Sequence, residues 1–273
     1  MRRKLSCLIL SFFCVSFIFN TQCSSAEDVS MTQKDKFNEQ NIMADLWFQT
    51  SGEAKALYYQ GYNIGTEKMN QALKKKYKKK PAVVLDIDET IVNNSPLDAK
   101  FSKVGQGSLN EKEWRKWIAK AKAKPLPGAL DFLKEADRRG VDIYYISDRS
   151  DKTLERTMLN LKNIGAPQVT KNHVLLKRDG EKNKNRRRKL VAKTHRILLY
   201  FGDNLSDFEG FEYPTIKKRA NKVDKMRLDF GNKLIVFPNP MYGNWEKALY
   251  NGKNNLSNEE KIKIRKSLLQ GDD

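Results

Sequence analysis

No cysteine occurs after residue 23 of this 273-residue chain; Cys7, Cys14 and Cys23 all lie near its start. The body can therefore form neither a disulfide framework nor a cysteine-based metal site, and its stability has to come from its core. Glycine (15) and proline (8) are too few for a collagenous or low-complexity chain. No apolar run reaches the roughly 20 residues of a spanning helix, and the nearest approach is a shorter run at the N-terminus. No internal repeat is visible. Acidic residues are scarce beside basic ones, 33 against 52, for a formal charge of +19. What is present is a globular composition: 39% hydrophobic residues, with 13 Phe, 10 Tyr and 4 Trp. The length suits one large domain or two small ones.

Residues 1–26 have the three parts of a secretory signal. Arg2, Arg3 and Lys4 form the positive start, Leu5 to Phe19 the apolar stretch, and small polar residues follow. With those three basic residues set aside from +19, the rest keeps +16, a surface that attracts phosphorylated molecules, anionic polymers or anionic lipid. Cys23 stands where bacterial lipoproteins carry the lipidated cysteine, although Asn20 and Gln22 depart from the usual lipobox; Ser24-Ser25-Ala26 offers an ordinary cleavage site instead. The expectation is an extracytoplasmic protein at the bacterial cell surface, tethered to the membrane through lipid on Cys23, or otherwise secreted.

Residues 27–40 read as a flexible tether. From 41 to 80, Leu46, Trp47, Leu57, Tyr58, Tyr62, Met69 and Leu73 recur near helical spacing, up to the lysine-rich run that ends at Lys80-Pro81. Five short apolar runs then read as buried strands: Ala82–Asp86, Val141–Ile146, His173–Leu176, Ile197–Phe201 and Leu234–Phe237. Helical stretches at 128–138, 151–161 and 187–193 separate several of them. This alternation predicts an α/β fold, a Rossmann-like parallel sheet flanked by helices. Residues 95–125 interrupt it without a strand signal and read as a helical insertion, which with the 41–80 helices would form a smaller, mainly helical domain. The core spans 81–255, and 256–273 is a polar helix or tail.

Ligands of parallel sheets bind beyond the carboxyl ends of the strands, which singles out four segments. Asp86-Ile87-Asp88-Glu89-Thr90 sets two carboxylates after the first strand, one suited to attack phosphorus and one to proton transfer; by itself the segment reads equally as a polar turn or a plain cation site. Ser147, before Asp148 and Arg149, can bond a phosphate oxygen or simply cap a helix. Lys184, in a run of basic residues, can neutralise phosphate, or belong to a solvated face. Asp203, in Gly202–Phe208, can complete a hard-oxygen site for Mg²⁺, with Asp207 orienting the site from behind, or the segment can be a turn and cap.

In this order the segments resemble the four motifs of the haloacid dehalogenase (HAD) superfamily. The form D-x-D-E-T … G-D-N-L-x-D-F, with Asn94-Ser95-Pro96 and the stretch from Pro238 to Glu246, is similar to the class C (DDDD-type) bacterial nonspecific acid phosphatases over residues 40–255. The resemblance implies Asp86 as nucleophile and Asp88 as acid/base. It implies Mg²⁺ held by Asp86, the Asp88 carbonyl and Asp203, phosphate held by Ser147 and Lys184, and Asp207 as the fourth aspartate. Lys182 is the alternative to Lys184. Tyr242, and less directly Trp114, would pack around the nucleoside of 5′-nucleotides. The second motif departs from the family's Ser-Asn-Arg at Asp148, placing an extra negative charge beside the phosphate. The expected activity is Mg²⁺-dependent hydrolysis of small phosphomonoesters, nucleoside 5′-monophosphates among them. No specific nucleic-acid partner is expected, and members of the resembled class are often homodimers. The competing readings are a non-catalytic basic lipoprotein that binds anionic polymers and an intracellular-type HAD phosphotransferase or phosphonatase.

Overall fold

Two helices open the structure, α1 (Ile42–Thr50) and α2 (Gly52–Leu73), and lead into β1 (Lys80–Leu85). An excursion follows: β2 (Val92–Asn93), α3 (Ser95–Val104), α4 (Glu111–Lys120) and β3 (Lys124–Pro125). The chain then alternates through α5 (Ala129–Arg138), β4 (Asp142–Ser150), α6 (Leu154–Asn163), β5 (Val174–Lys177), α7 (Asn185–Thr194), β6 (His195–Gly202), α8 (Ile216–Lys225) and β7 (Leu234–Val236). It ends in α9 (Asn244–Leu249) and α10 (Asn258–Leu268). This computed structural model describes residues 37–104, 110–212 and 214–272. The expected leader, Cys23 and residues 27–36 of the expected tether lie outside them. No helix among the described residues is long and apolar enough to cross a membrane.

Five strands form one parallel sheet in the order β5-β4-β1-β6-β7. Strand β1 is central, and Ala82 to Leu85 are buried from both faces, which is why they read as one unbroken apolar run. The register places Leu85 beside Tyr145 of β4 and beside Phe201 of β6. Asp86 and Asp203 therefore follow β1 and β6 at the level where Ser147 lies in β4, which runs on to Ser150, and the three residues share one end of the sheet.

Helix α2 lies close against the sheet. Its Ser51 N-cap accepts from the Ala54 N–H at 3.0 Å. Gly61 and Gly65, one turn apart, face Phe237 and Phe201; a Cβ on Gly65 would stand 2.6 Å from the Phe201 ring. Tyr58 and Tyr62 of the same helix join the main core; Tyr58 stacks on Phe237 with ring centroids 4.8 Å apart, and Tyr62 lies tilted against it at 4.6 Å. Their hydroxyls donate to the carbonyls of Glu89 and, at 2.6 Å, of Thr90. Helix α2 thus fixes the loop that follows β1.

Helices α1 and α2 were expected to group with the 95–125 insertion. In the structure α1 does meet α3 of that insertion, while α2 packs on α5 and on the sheet strands, within the main core. The insertion is not free of strands: it ends in β3, which pairs antiparallel with β2 just before it, Val92 opposite Pro125 and Asn93 opposite Lys124. Two-residue strands are too short to show a period. Helix α8 carried no expectation, because its one buried residue, Arg219, is charged and stands among lysines.

Candidate active site

The segment after β1 is a tight loop. Glu89 takes a left-handed conformation (φ 51°), and its buried carboxylate accepts from the Asn94 backbone N–H and, at 3.2 Å, from the Asn94 amide. This turns Asp86 and Asp88 to different partners. Asp86 is buried and faces the Lys184 ammonium, which also reaches Asp207 Oδ1 at 2.7 Å. Asp88 faces Arg149, whose Nη2 and Nε donate to Asp88 Oδ1 at 2.7 and 3.0 Å. The Asn94 amide donates to the same oxygen at 2.8 Å, and the Ser147 hydroxyl donates to Asp88 Oδ2 at 3.2 Å. Trp114 of α4 lies under the Arg149 guanidinium, 5.6 Å from ring centre to Cζ.

Lys184 directly precedes α7 and is buried, whereas Lys182 is exposed. The geometry therefore places Lys184, and not its alternative, in the site. Asp203 follows β6; its Oδ2 accepts from the Asn239 amide at 2.9 Å. Asp207 closes a capping box, with Oδ2 accepting from the Asn204 N–H at 2.9 Å. Asp86, Asp88, Ser147, Arg149, Lys184, Asp203 and Asp207 line one cleft of about 460 Å³, together with Trp114 and Tyr242.

Three bracing residues were not anticipated. Arg187 and Arg188, assigned to a solvated basic run, are buried. Arg187 donates to the Ser147 carbonyl at 2.5 Å and to Asp148 at 2.8 Å, while Arg188 donates to the Asp207 carbonyl at 2.7 Å. They stand three and four residues after Lys184, so one helical face carries all three, a spacing visible in the sequence. Asn239 was quoted only as part of a motif; it ties Asp203 to the loop bearing Tyr242 by also accepting from the Tyr242 N–H at 3.3 Å. The extra charge expected from Asp148 is compensated. Burial pushes that carboxyl up, but Lys184 and Arg187 outweigh it and hold it below its ordinary value.

One oxygen each from Asp86, Asp203 and Asp207 lies within 4.8 Å of the other two. The Asp88 carboxylate, occupied by Arg149, is outside this group, so the carboxylate completing it is Asp207, expected only as the fourth aspartate. Burial, followed by repulsion from Asp207, pushes Asp203 up to about 7. Burial also pushes Asp86 well above its ordinary value; Lys184 opposes this, and Asp207, Asp203 and Asp88 reinforce it. One ammonium against so many buried carboxylates leaves a surplus of negative charge on hard oxygen donors, which is the environment a divalent cation fits.

A stability trend follows from the sign of these shifts. Asp203 keeps its proton in the folded chain up to about pH 7 but releases it near 3.8 when unfolded. Between those values the folded state holds more protons, so stability falls as pH rises. Metal-free protein should melt roughly 5 °C lower at pH 7.5 than at pH 5. A saturating divalent ion should remove most of that difference. Some fall should persist, because Asp98, raised to about 7 by burial and by Asp45, lies outside the cluster. Melting curves at both pH values, with and without metal, test this, and a pH difference untouched by metal would contradict it.

A parallel sheet with paired aspartates after its central strand, serine and lysine facing them, and two more aspartates after the next strand defines the HAD class of phosphoryl-transfer proteins. The chain belongs to the HAD superfamily, subfamily IIIB, the acid phosphatases, whose family pattern matches residues 7–245. That family is one of phosphoric monoester hydrolases, and its members use a divalent metal. A crystal structure of a class C acid phosphatase from Bacillus anthracis with tungstate bound is 52% identical, with a TM-score of 0.85, covering 87% of this chain and all of that one. A second structure of the Bacillus anthracis enzyme gives 0.84 over the same coverage. Vegetative storage protein 1 of Arabidopsis thaliana is 30% identical over 167 residues, 58% of this chain and 54% of that protein. Acid phosphatase 1 of Solanum lycopersicum is 25% identical over 166 residues, 58% of this chain and 57% of that protein. The chain thus spans a little over half the length of these curated relatives.

Proposed function

We propose that this chain is a Mg²⁺-dependent acid phosphatase that hydrolyses small phosphomonoesters, nucleoside 5′-monophosphates among them, through a phosphorylated Asp86. The observation that carries the reading is the division of labour between the first two aspartates: Asp86 lies against Lys184 and the carboxylate cluster, and Asp88 against Arg149, Asn94 and Ser147.

In the first step an Asp86 oxygen attacks phosphorus and the ester P–O bond breaks. The departing oxygen takes a proton from Asp88. In the second step Asp88 takes a proton from water as the water oxygen attacks phosphorus, and the bond to Asp86 breaks to release inorganic phosphate. Ser147 and Lys184 hold the non-bridging oxygens throughout. Bound Mg²⁺, held by Asp86, the Asp88 carbonyl and Asp203 with the Asp207 carboxylate beside them, would neutralise charge on the transferring group and keep Asp86 ionised. Trp114 and Tyr242 offer ring faces in the same cleft to a nucleoside. The tungstate in the Bacillus anthracis relative is a tetrahedral oxyanion like phosphate, and it supports an oxyanion pocket here.

The leaving group takes its proton from Asp88, and the acid phosphatase family to which the chain belongs implies a rate that peaks below pH 7. Phosphate release from AMP and p-nitrophenyl phosphate, measured from pH 4 to 9 with Mg²⁺ and after metal removal, tests the reading. Metal-dependent turnover with an acid-side maximum is expected. A maximum above pH 8 would remove Asp88 from its role, and no turnover on either substrate would overturn the function. The leader-like residues 1–26 and Cys23 support action at the cell surface from a lipid tether. Labelling with a fatty acid that is lost in Cys23→Ser would test that tether.

A further inference from the structure

A second cleft, of about 600 Å³, lies apart from the catalytic one, between α1, the β2/β3 pair, α3 and α4. Its charge is the reverse of the first. Seven carboxylates and three cationic side chains line the catalytic cleft, whereas Lys100, Lys103, Lys122 and Lys124 line this one, with no carboxylate. Lys100 has an ion-pair partner, Glu113 at 3.0 Å. Lys103, Lys122 and Lys124 have no carboxylate within ion-pair distance among the described residues. A concave wall of one sign concentrates its field, and ammonium groups on flexible stems suit phosphate oxygens.

The cleft is built on ordered parts. Lys124 is held opposite Asn93 in the β2/β3 pair. Ser95 is fully buried on the wall, its oxygen accepting from Gln49 at 3.1 Å. The Trp117 ring forms another wall, and its Nε1 donates to Asn94 Oδ1 at 2.7 Å. That same Asn94 amide donates to Asp88, so the lysine cleft stands two hydrogen bonds from the carboxylate of the acid/base pair.

The geometry points to this cleft as a binding site for a small phosphate-bearing polyanion with three or more negative charges, separate from the catalytic cleft. Its recognition would be by the four ammonium groups, with the neutral amides of Gln49 and Asn93 as further donors. Two sources share this chemistry, condensed inorganic phosphate and an organic polyphosphate ester.

The test uses metal-free protein, in which the catalytic cleft is net acidic and repels anions. Tripolyphosphate represents the inorganic source and inositol hexakisphosphate the organic one. Each is titrated at 0.15 M NaCl, where attraction between exposed charges is screened beyond about 8 Å, and binding is read by calorimetry and by tryptophan fluorescence. One saturable site is expected for at least one anion, and the anion bound more tightly names the source. Lys103→Glu/Lys122→Glu/Lys124→Glu should weaken it tenfold or more. Lys74→Glu/Lys75→Glu/Lys76→Glu, an equal charge change in the lysine run before β1, should leave it within twofold. Equal losses in both variants would reduce the effect to general surface charge, and wild-type binding in the cleft variant, or none in wild-type protein, would overturn the site. Turnover of p-nitrophenyl phosphate by the cleft variant, with metal restored, shows that it is folded. The phosphatase reading stands or falls separately, on wild-type turnover.

Discussion

Asp86→Asn should lower phosphate release by at least about 10³-fold while the protein stays folded. The amide has the shape of the carboxylate, and the backbone that presents it is fixed: the Asp86 N–H donates to the Phe201 carbonyl at 3.0 Å, across the central strand pair. What disappears is the oxygen able to form a bond to phosphorus. The same change removes one charge from a crowded, buried cluster. Metal-free Asp86→Asn should therefore melt higher than metal-free wild type at pH 7.5, and the difference should narrow at pH 5, where Asp203, raised to about 7, has taken up its proton. Activity and melting measured on one preparation separate a lost nucleophile from a damaged fold. Turnover above a tenth of wild type would sink the assignment of Asp86.

Lys184→Met should be the most damaging single change to stability. The ammonium is buried, paired with Asp86 and 2.7 Å from Asp207. Burial alone would pull its pKa down, but Asp207, Asp86 and Asp148 outweigh it and hold the lysine charged. Removing one member of such a buried group costs about 3–5 kcal/mol, because the remaining charges are left without a counter-ion. The direction with pH is fixed. Without Lys184 the neighbouring carboxyls bind protons more tightly in the folded state, so the loss is largest at pH 7.5 and shrinks at pH 5. Urea denaturation of metal-free protein at both values would show it; an equal loss at both would mean that the lysine contributes packing, not charge. Lys184→Arg keeps the charge but not its compact geometry, and should recover stability more than turnover.

Much of this was legible in the sequence, for a physical reason. Strands buried on both faces read as continuous apolar runs, and all five core strands stand where such runs occur. The functional aspartates were legible because they end those runs. The bracing residues were less so. Arg149, near the end of β4, and Asn94, in the loop after β2, hold Asp88 through an approach that depends on tertiary packing, and no local spacing encodes that. Arg187 was hidden among charged neighbours, although its distance from Lys184 gave the shared helical face. The substitution at Asp148 read as an unfavourable charge because its counter-ion lies 39 residues further along the chain.

The glycine face of α2 bears on the order in which the molecule assembles. Gly61 and Gly65 are shaped to the rings of Phe237 and Phe201, which lie far downstream. The helix is complete early in the sequence and can meet α5, yet its glycine face has no floor until β6 and the residues after β7 are in place. Contacts so distant along the chain carry a large loop-closure cost and slow the search for the native state. Until that late docking, the Tyr58 and Tyr62 hydroxyls are not at the carbonyls of Glu89 and Thr90, and the catalytic loop is unheld. Refolding should therefore regain helical signal before phosphatase activity, and a chain ending at residue 230 would carry every catalytic aspartate without the clamp that aligns them.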